Sequence, residues 1–351
     1  MQHYIRILQS FIPLKETYNV SIIPINDGHI NITLRVVINE QGDYRQFILQ
    51  RINRSIFHKP ELMLHSLNIV NRHLQNSDYP YEVLEIIPNL NQQLFTEDQN
   101  GDFWRMTKFI SHTYCTTKVR DFSQAYEAAK TFSIFYSKLF TLSPKLIQAS
   151  IPEFVNFKKR INDYKNALNH ATEQRKHKAS QALNFINHHL YLLESFIENQ
   201  QNDYFPERII HGDPKISNIL FDNHTHKGRC VIDLDTLMPA TLLYDFGDMV
   251  RSYTNLKDED DTQPEDIFSP AYYEAVKTGF LSNTSDVLTP IEKDNLDYAG
   301  QVVVFIQAIR FVTDFLNGDI YYKIKYPNHN LNRTKNQINL LRELFKIKSV
   351  C

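Results

Sequence analysis

The chain has 351 residues, of which 42% are hydrophobic and 22% charged, and its formal net charge is −2 at pH 7. This length predicts two domains, and the apolar content excludes a disordered chain. The near-neutral charge, without a basic stripe, excludes nucleic acid as a partner, and three widely spaced cysteines indicate a reducing cytoplasm rather than a disulfide framework.

The first third of the chain predicts a small domain built on an antiparallel sheet. Its N-terminus lacks a cationic head followed by a long apolar run, so no signal peptide is expected. β-branched runs and turn residues give the elements, with Asp27-Gly28 as a hairpin turn between the first two strands. In order they are a short helix, strands at 19–26, 30–38 and 44–52, a helix at 60–75, and strands at 81–89 and 103–110.

From about residue 120 the apolar spacing becomes helical. Helices are predicted at 122–139 behind an Asp121 cap, at 182–197, and from Thr289-Pro290 to Gly318. The acidic run 257–266 reads as an exposed loop, and no stretch reaches the roughly 18 apolar residues of a membrane span. We therefore expect a nucleotide-binding domain over 1–110 and a helical domain over 111–351, with a hinge near 108–116.

The side chains suited to catalysis and metal binding cluster between residues 209 and 235. The stretch "IIHGDPKISNILFD" carries His211, Asp213 and Asn218 between apolar strands, and "CVIDLD" follows with Asp233. Phosphoryl transfer from ATP needs one carboxylate to accept the proton of the attacking hydroxyl, and an amide oxygen and a second carboxylate to hold Mg²⁺. Asp213 fits the first role, and Asn218 and Asp233 fit the second. An ordinary buried polar loop is the alternative, which the five-strand segment upstream disfavours.

With these motifs the chain resembles the aminoglycoside phosphotransferase and choline kinase group, which shares the fold of protein kinases. "VIDLDTLMP", "LLYDFGDMVR" and "IRFVTDFLNGDIYYK" are most similar to its N-acetylhexosamine 1-kinase branch. The resemblance implies an α+β, bilobal fold, with a five-stranded antiparallel sheet in a small N-terminal lobe and a larger helical C-terminal lobe. It also implies ATP and Mg²⁺ and an N-acetylhexosamine substrate. The composition predicts a cytoplasmic enzyme without a membrane partner, and the sequence leaves the oligomeric state open between a monomer and a homodimer.

The letters D-F-G at 245–247 match the magnesium segment of protein kinases, but they come too late in the chain. Asp233 stands at the strand end where the metal ligand belongs, whereas Asp245 lies beyond the connection "TLMPATLL". The resemblance implies that Asp245 instead accepts backbone N–H bonds from the catalytic loop, which His211 also supports. Asp235, taken to lie on the same strand face as Asp233, is a candidate to support the metal through water.

The nucleotide-binding lobe departs from the protein kinase pattern in two places. Gly28 is the only glycine in the candidate phosphate loop, and the third strand offers Gln50 where a lysine is expected, followed by Arg51. Strand alternation lets only one of these two side chains face the phosphates, and the sequence leaves both open. Backbone groups near Lys108, Phe109 and Ile110 are expected to read the adenine edge.

Substrate candidates lie nearer the C-terminus. Arg310 is the one cation in an apolar helix, so it either pairs with Asp314 one turn later or binds sugar oxygens near Asp213. The resemblance implies the second role, with Tyr321 as a further contact, and His29 either closes over the ligand or is a polar loop residue. The loop 257–266 is a solvated face or a site for a cationic amine.

The resulting function is a kinase for the anomeric hydroxyl of N-acetylglucosamine or N-acetylgalactosamine. Two alternatives remain: a kinase for another hydroxyl, as in an amino alcohol, an aminoglycoside or the 6-position of a sugar, and an inactive nucleotide-binding module.

Overall fold

The computed structural model describes residues 2–25 and 31–347, which form two compact units. The sheet unit runs from the N-terminus to Tyr114 and also contains 145–152 and 220–238. The helical unit contains 115–144, 153–219 and the chain from Pro239 onward. The predicted domain 1–110 does not contain the two later segments of the sheet unit.

The strands are β1 (Asn19–Ile25), β2 (Ile32–Glu40), β3 (Asp43–Ile52), β4 (Ile86–Ile87), β5 (Thr96–Glu97), β6 (Phe103–Lys108), β7 (Thr113–Tyr114), β8 (Arg208–Ile210), β9 (Ile219–Asp222), β10 (Gly228–Val231) and β11 (Met238–Ala240). The helices are α1 (Gln2–Phe11), α2 (Pro60–Gln75), α3 (Phe122–Leu139), α4 (Phe157–His170), α5 (Glu173–His189), α6 (Tyr191–Gln201), α7 (Leu242–Tyr253), α8 (Pro270–Thr284), α9 (Pro290–Asp294), α10 (Leu296–Leu316) and α11 (His329–Leu344).

The main sheet of the sheet unit is antiparallel, with the order β1-β2-β3-β6-β4. Within the described ranges it has a sixth strand, because β5 also pairs with β6, so the expectation of five strands was one short. The sequence missed β5 because it is only two residues long. Leu34, Val36 and Ile38 alternate along β2 and are buried in one cluster with α1, which covers one face of the sheet.

A second, smaller sheet has the order β10-β9-β7. After β10 the backbone of Asp233 adopts a left-handed conformation (φ 60°, ψ 48°), and residues Leu234–Thr236 form a 3₁₀ turn. The strand that the sequence predicted through Asp235 therefore ends earlier. The placement of Asp235 on one strand face with Asp233 was wrong.

Two predicted helices are each divided in the structure. The helix expected over 182–197 breaks at Leu190, between α5 and α6. The helix expected from Thr289 breaks at Asn295, between α9 and α10. The predicted capping box is present: the Thr289 hydroxyl accepts from the Glu292 N–H at 3.1 Å, and the Glu292 carboxylate accepts from the Thr289 N–H at 2.9 Å.

Helix α10 lies at the centre of the helical unit and packs against α4, α5, α6, α7 and α11. It is also, within residues 2–25 and 31–347, the one helix long and apolar enough to cross a membrane, with 78% of its apolar window buried. Gln301, Gln307, Arg310 and Asp314 nevertheless interrupt its apolar residues, so it is not a continuous apolar stretch. A helix packed on most sides by other helices is apolar because most of its surface lies away from water, as is true of a membrane span.

Gly247 is needed where α7 approaches α10. A Cβ at this position would lie 2.5 Å from the carbonyl oxygen of Ala299 and 2.5 Å from a methyl group of Val303. Gly247→Ala should therefore lower the free energy of unfolding by about 1–3 kcal/mol, because the helices must separate. Urea denaturation measures this loss, and Gly300→Ala is the matched control.

At Gly300 the added Cβ would meet only the side chain of Val250, at 3.2 Å, so a smaller loss is expected there. Equal losses for the two variants would contradict the close approach at Gly247.

Candidate active site

The predicted catalytic loop follows β8 in the helical unit. His211 is fully buried, and its ring meets those of Phe132 and Phe135 edge-on at centroid distances of 5.2 and 6.5 Å. Its Nδ1 accepts a hydrogen bond from the Asp213 N–H at 3.3 Å. The loop backbone is thus attached through His211 to an aromatic cluster, and Gly212 supplies the positive φ of 82° that the bend requires.

Asp245 stands in the first turn of α7 and is fully buried. Its carboxylate accepts hydrogen bonds from the N–H groups of His211 at 2.7 Å and Gly212 at 3.1 Å, and from the Tyr136 hydroxyl at 2.7 Å. Burial raises the pKa of Asp245 to about 7, whereas these hydrogen bonds favour the ionised form. The side chain therefore braces the loop, and the neighbouring Phe246 and Gly247 pack in the core.

Asp213 is the loop carboxylate with access to solvent, its side chain being 29% exposed. Lys215 Nζ lies 2.7 Å from Oδ2, and the Asn218 amide donates to the Asp213 carbonyl at 2.8 Å and more weakly to Oδ2 at 3.3 Å. Burial alone would raise the pKa of Asp213, but the Lys215 ammonium holds it below the usual value. These contacts engage Oδ2 and leave Oδ1 as the oxygen available to a proton donor.

The orientation of Asn218 bears on metal binding. Because its Nδ2 donates to Asp213, its Oδ1 is directed away from that carboxylate and is a hard oxygen acceptor. The described ranges contain no cluster of three or more His, Cys, Asp or Glu side chains placed to hold a metal. The ligand types that the sequence predicted, one amide oxygen and one carboxylate, suit Mg²⁺ chemically, because this ion keeps several waters and binds nucleotide phosphates directly.

Asp235, the sequence candidate for supporting the metal through water, is bound by side chains of the sheet unit. Both of its oxygens are bound by Arg105, Oδ1 to Nη1 at 2.5 Å and Oδ2 to Nη2 at 3.0 Å. Asn31 Nδ2 also donates to Asp235 Oδ2, at 2.9 Å. The side chain is 2% exposed, so its hydrogen-bonding capacity is used within the sheet unit.

Gln50 and Arg51, the two β3 candidates for contacting the nucleotide phosphates, point in different directions. Gln50 accepts from Arg105 Nε at 2.9 Å and donates to the Thr33 hydroxyl at 3.1 Å. Arg51, whose side chain is 40% exposed, pairs with Asp102 at 3.0 Å. Gln50 thus shares a sheet face with the Arg105–Asp235 pair and Arg51 does not, as alternation requires. Gly28 and His29 lie outside the described residues.

At the predicted adenine position, two backbone N–H groups are already engaged. Lys108 donates to the Glu85 carbonyl at 2.9 Å and Phe109 to the Gln46 carbonyl at 3.2 Å. The Ile110 carbonyl accepts from the Thr113 hydroxyl at 2.8 Å. A base edge would therefore have to be read by the Ile110 N–H and the Phe109 carbonyl.

Arg310 and Tyr321 both line a pocket of about 480 Å³ in the helical unit, between α4 and α10. Arg310 donates to the Gln307 side chain at 3.0 Å and lies over the rings of Phe154 and Tyr322. It forms no ion pair with a carboxylate in the described part of the chain. Asp314, the alternative partner that the sequence offered for Arg310, instead accepts from the N–H groups of residues 320, 321 and 322 and from Asn330.

Three of the six carboxylates of the loop 257–266 pair with neighbours within the helical unit. Asp258 pairs with Lys118, Glu259 with Arg333 at 2.9 Å, and Asp260 with His329 at 3.3 Å. The loop is therefore a structured, largely solvated face. Asp261, Glu265 and Asp266, by contrast, form no ion pair in the described ranges.

The sequence analysis missed two cations with clear roles in this geometry. Lys215 could have been found as the one basic residue between Asp213 and Asn218. Arg105 could have been found as a basic residue in the middle of a short apolar strand, since a buried guanidinium needs a partner. Its partner lies 130 residues away in the chain, and no local pattern identifies it.

Comparison with known proteins agrees with this arrangement. The sequence profile described as "Phosphotransferase enzyme family" matches residues 21–277, more than half of the chain. Among solved structures, an aminoglycoside phosphotransferase from Alicyclobacillus acidocaldarius is similar at 12% identity, with a TM-score of 0.63 over 97% of this chain and 95% of that one.

A choline kinase from Cryptosporidium parvum is similar at 16% identity and a TM-score of 0.58, over 98% of this chain and 96% of that one. A spectinomycin phosphotransferase in complex with ADP and spectinomycin is similar at 12% identity and a TM-score of 0.57, over 98% and 97% of the chains. These identities are low enough that the likeness shows the fold alone. It confirms the predicted α+β, kinase-like fold.

Proposed function

The chain belongs to the phosphotransferase enzyme family, and we propose that it uses ATP to phosphorylate the anomeric hydroxyl of an N-acetylhexosamine. It is a small-molecule phosphotransferase; the sugar, the position of transfer and the residues that act are the proposal. N-acetylglucosamine and N-acetylgalactosamine are the candidate acceptors.

In the proposed reaction Asp213 is the general base. Its Oδ1 accepts the proton of the attacking hydroxyl, because Oδ2 is held by Lys215. The same ammonium lowers the pKa of Asp213 against the opposing effect of burial, so the base is ionised at neutral pH. The anomeric hydroxyl is the most acidic hydroxyl of a sugar, which makes the transfer to a carboxylate of low basicity easier.

Asn218 and Asp233 are the proposed ligands of Mg²⁺, which supplies charge neutralisation at the phosphates when bound. His211 and Asp245 hold the loop so that Asp213 keeps its orientation without reorganisation. Gln50 is the β3 side chain that we propose for the nucleotide site, since Arg51 pairs with Asp102. Phe109 and Ile110 remain the proposed adenine contacts, and Gly28 and His29 the proposed loop contacts.

The observation that carries the substrate proposal is the charge distribution in the pocket between α4 and α10. Its carboxylates are engaged: Asp314 accepts from four N–H donors, and Asp163 pairs with Lys159 at 3.0 Å. The Arg310 guanidinium has no carboxylate partner in the described ranges. Such a pocket offers donors and tyrosine rings to a neutral, oxygen-rich ligand.

The same charges disfavour the second candidate, a kinase for an amino alcohol or an aminoglycoside. A cationic substrate needs carboxylates that are not already paired, whereas those of the pocket between α4 and α10 have basic or N–H partners. An inactive binding module is disfavoured because His211, Asp213, Asn218 and Asp233 are all present.

The test measures the loss of sugar reducing ends together with the formation of ADP. We expect that incubation with N-acetylglucosamine, ATP and Mg²⁺ removes reducing ends in step with ADP formation, because phosphorylation at the anomeric carbon prevents ring opening. A reducing-sugar assay and an ADP assay on the same samples measure both quantities. The 6-phosphate of N-acetylglucosamine, which keeps its reducing end, is the control for the chemical assay.

ADP formation with reducing ends intact would mean transfer to another hydroxyl. Turnover on choline, aminopropanol or an aminoglycoside, without turnover on any hexosamine, would establish the second candidate instead.

A further inference from the structure

Arg105 is the most deeply buried cation among the described residues of the sheet unit, and each of its three guanidinium nitrogens has an acceptor. It lies on β6 opposite Gln50 of β3 in the strand register, and it is 3% exposed. Its guanidinium donates to Gln50 Oε1 at 2.9 Å and to both oxygens of Asp235. A buried guanidinium is stable only when its donors are satisfied, and this one is satisfied by one residue of the sheet and one of the segment after β10.

Asp235 is also held by other residues of the sheet unit. Besides Arg105, Asn31 donates to its carboxylate at 2.9 Å, and the Ser150 hydroxyl donates to its backbone carbonyl. Asn31 in turn accepts from the Asn53 N–H, just after β3, at 3.0 Å. The 3₁₀ turn of residues 234–236 is thereby attached to the main sheet through side chains and backbone together.

The residue before this turn is the proposed metal ligand. Asp233 has a left-handed backbone, which is unfavourable for a residue other than glycine and persists only where the surroundings impose it. The anchored Asp235 lies two residues further along the chain. Its contacts hold one end of the short segment whose other end is Asp233.

We propose that Arg105 is a positioning residue: through its ion pair with Asp235 it sets the orientation of Asp233, so that affinity for the metal–nucleotide complex depends on a side chain that does not touch the metal. This inference rests on the proposed function, in which Asp233 holds Mg²⁺. It also accounts for the neutral Gln50 on β3, since the cation at this position of the sheet comes from the neighbouring strand.

The alternative is an ion pair that contributes to folding alone. Buried ion pairs can often be replaced by apolar residues of similar size without loss of stability. The double variant Arg105→Met/Asp235→Leu separates the two roles, because it removes both charges together and leaves neither buried without a partner.

The experiment measures binding of Mg²⁺ with a non-hydrolysable ATP analogue by titration calorimetry, and thermal melting of the same samples. We expect the double variant to melt cooperatively, and its affinity for the metal–nucleotide complex to fall by roughly 10–100-fold, as is typical when the support of a metal ligand is removed. Asp235→Asn, which keeps the shape of the side chain, should show a loss of the same kind.

Arg229→Met is the matched control. Arg229 lies on β10, the strand that leads to Asp233, and its ion pair with Glu82 is at the surface, with side chains 38% and 45% exposed. Its loss should leave the affinity unchanged. A double variant that folds and binds with wild-type affinity would overturn the inference, whereas a wild-type protein that binds no metal–nucleotide complex would overturn the proposed function itself.

Discussion

Asp213→Asn is expected to lower kcat by about 10²–10⁴-fold while the affinity for ATP stays unchanged. The amide has the shape of the carboxylate but cannot accept the hydroxyl proton at neutral pH. Its neighbours Asn218 and His211 contact the backbone of residue 213, so the loop should keep its conformation. Steady-state kinetics and nucleotide binding on the same preparation measure the two quantities.

Two further variants test whether a loss of kcat is specific to the general-base role of Asp213. Asp286→Asn removes an exposed carboxylate elsewhere in the helical unit and should leave kcat unchanged. Lys215→Met removes the ammonium that lowers the pKa of Asp213, so the fall in kcat at acidic pH should begin at a higher pH than in the wild type. A kcat for Asp213→Asn within a few-fold of wild type would eliminate Asp213 as the base.

The second large expected effect distinguishes the role of Asp233, the proposed metal ligand, from that of Asp245, which lies in the D-F-G letters. Asp233→Asn should abolish metal-dependent nucleotide binding in a protein that melts normally, because asparagine tolerates the left-handed backbone but carries no charge. Asp245→Ala should instead lower the free energy of unfolding, by about 1–3 kcal/mol for each N–H of His211 and Gly212 left without an acceptor.

The pH dependence of stability provides a second readout for Asp245. Burial raises its pKa to about 7, above the value of 3.8 that the unfolded chain should show. The folded state therefore binds more protons between these values, and this contribution to stability is lost as pH rises from about 4 to about 7. Asp245→Ala should remove it. Loss of metal binding in Asp245→Ala with normal melting would reverse the two assignments.

Short-range sequence signals made several helix starts and the first three strands predictable. Pro60 at the start of α2 and the capping box at Thr289 are signals within a few residues, and both elements begin where the sequence placed them. The strands β1, β2 and β3 alternate or are β-branched over seven residues or more, so their side-chain pattern is unambiguous.

The features that escaped prediction depend on partners far away in the chain. The break at Leu190 has no glycine or proline to mark it. Arg105 meets Asp235 across 130 positions, and only the folded chain reveals that the residue two places after Asp233 faces the sheet. Asp314 was one of two alternatives for Arg310 because it lies one helical turn away, whereas its actual donors are the backbone of a loop that follows α10.

If the pocket between α4 and α10 is the acceptor site, as proposed, that loop has a consequence for how the acceptor range changes over evolution. Asp314 fixes residues 320–322 through their N–H groups, which every amino acid except proline provides. The side chains of Ile320 and Tyr321 are 80% and 70% exposed, so their identity contributes little to packing. Selection, or a library randomised at these two positions, can therefore remodel one wall of the pocket without disturbing the loop that carries it.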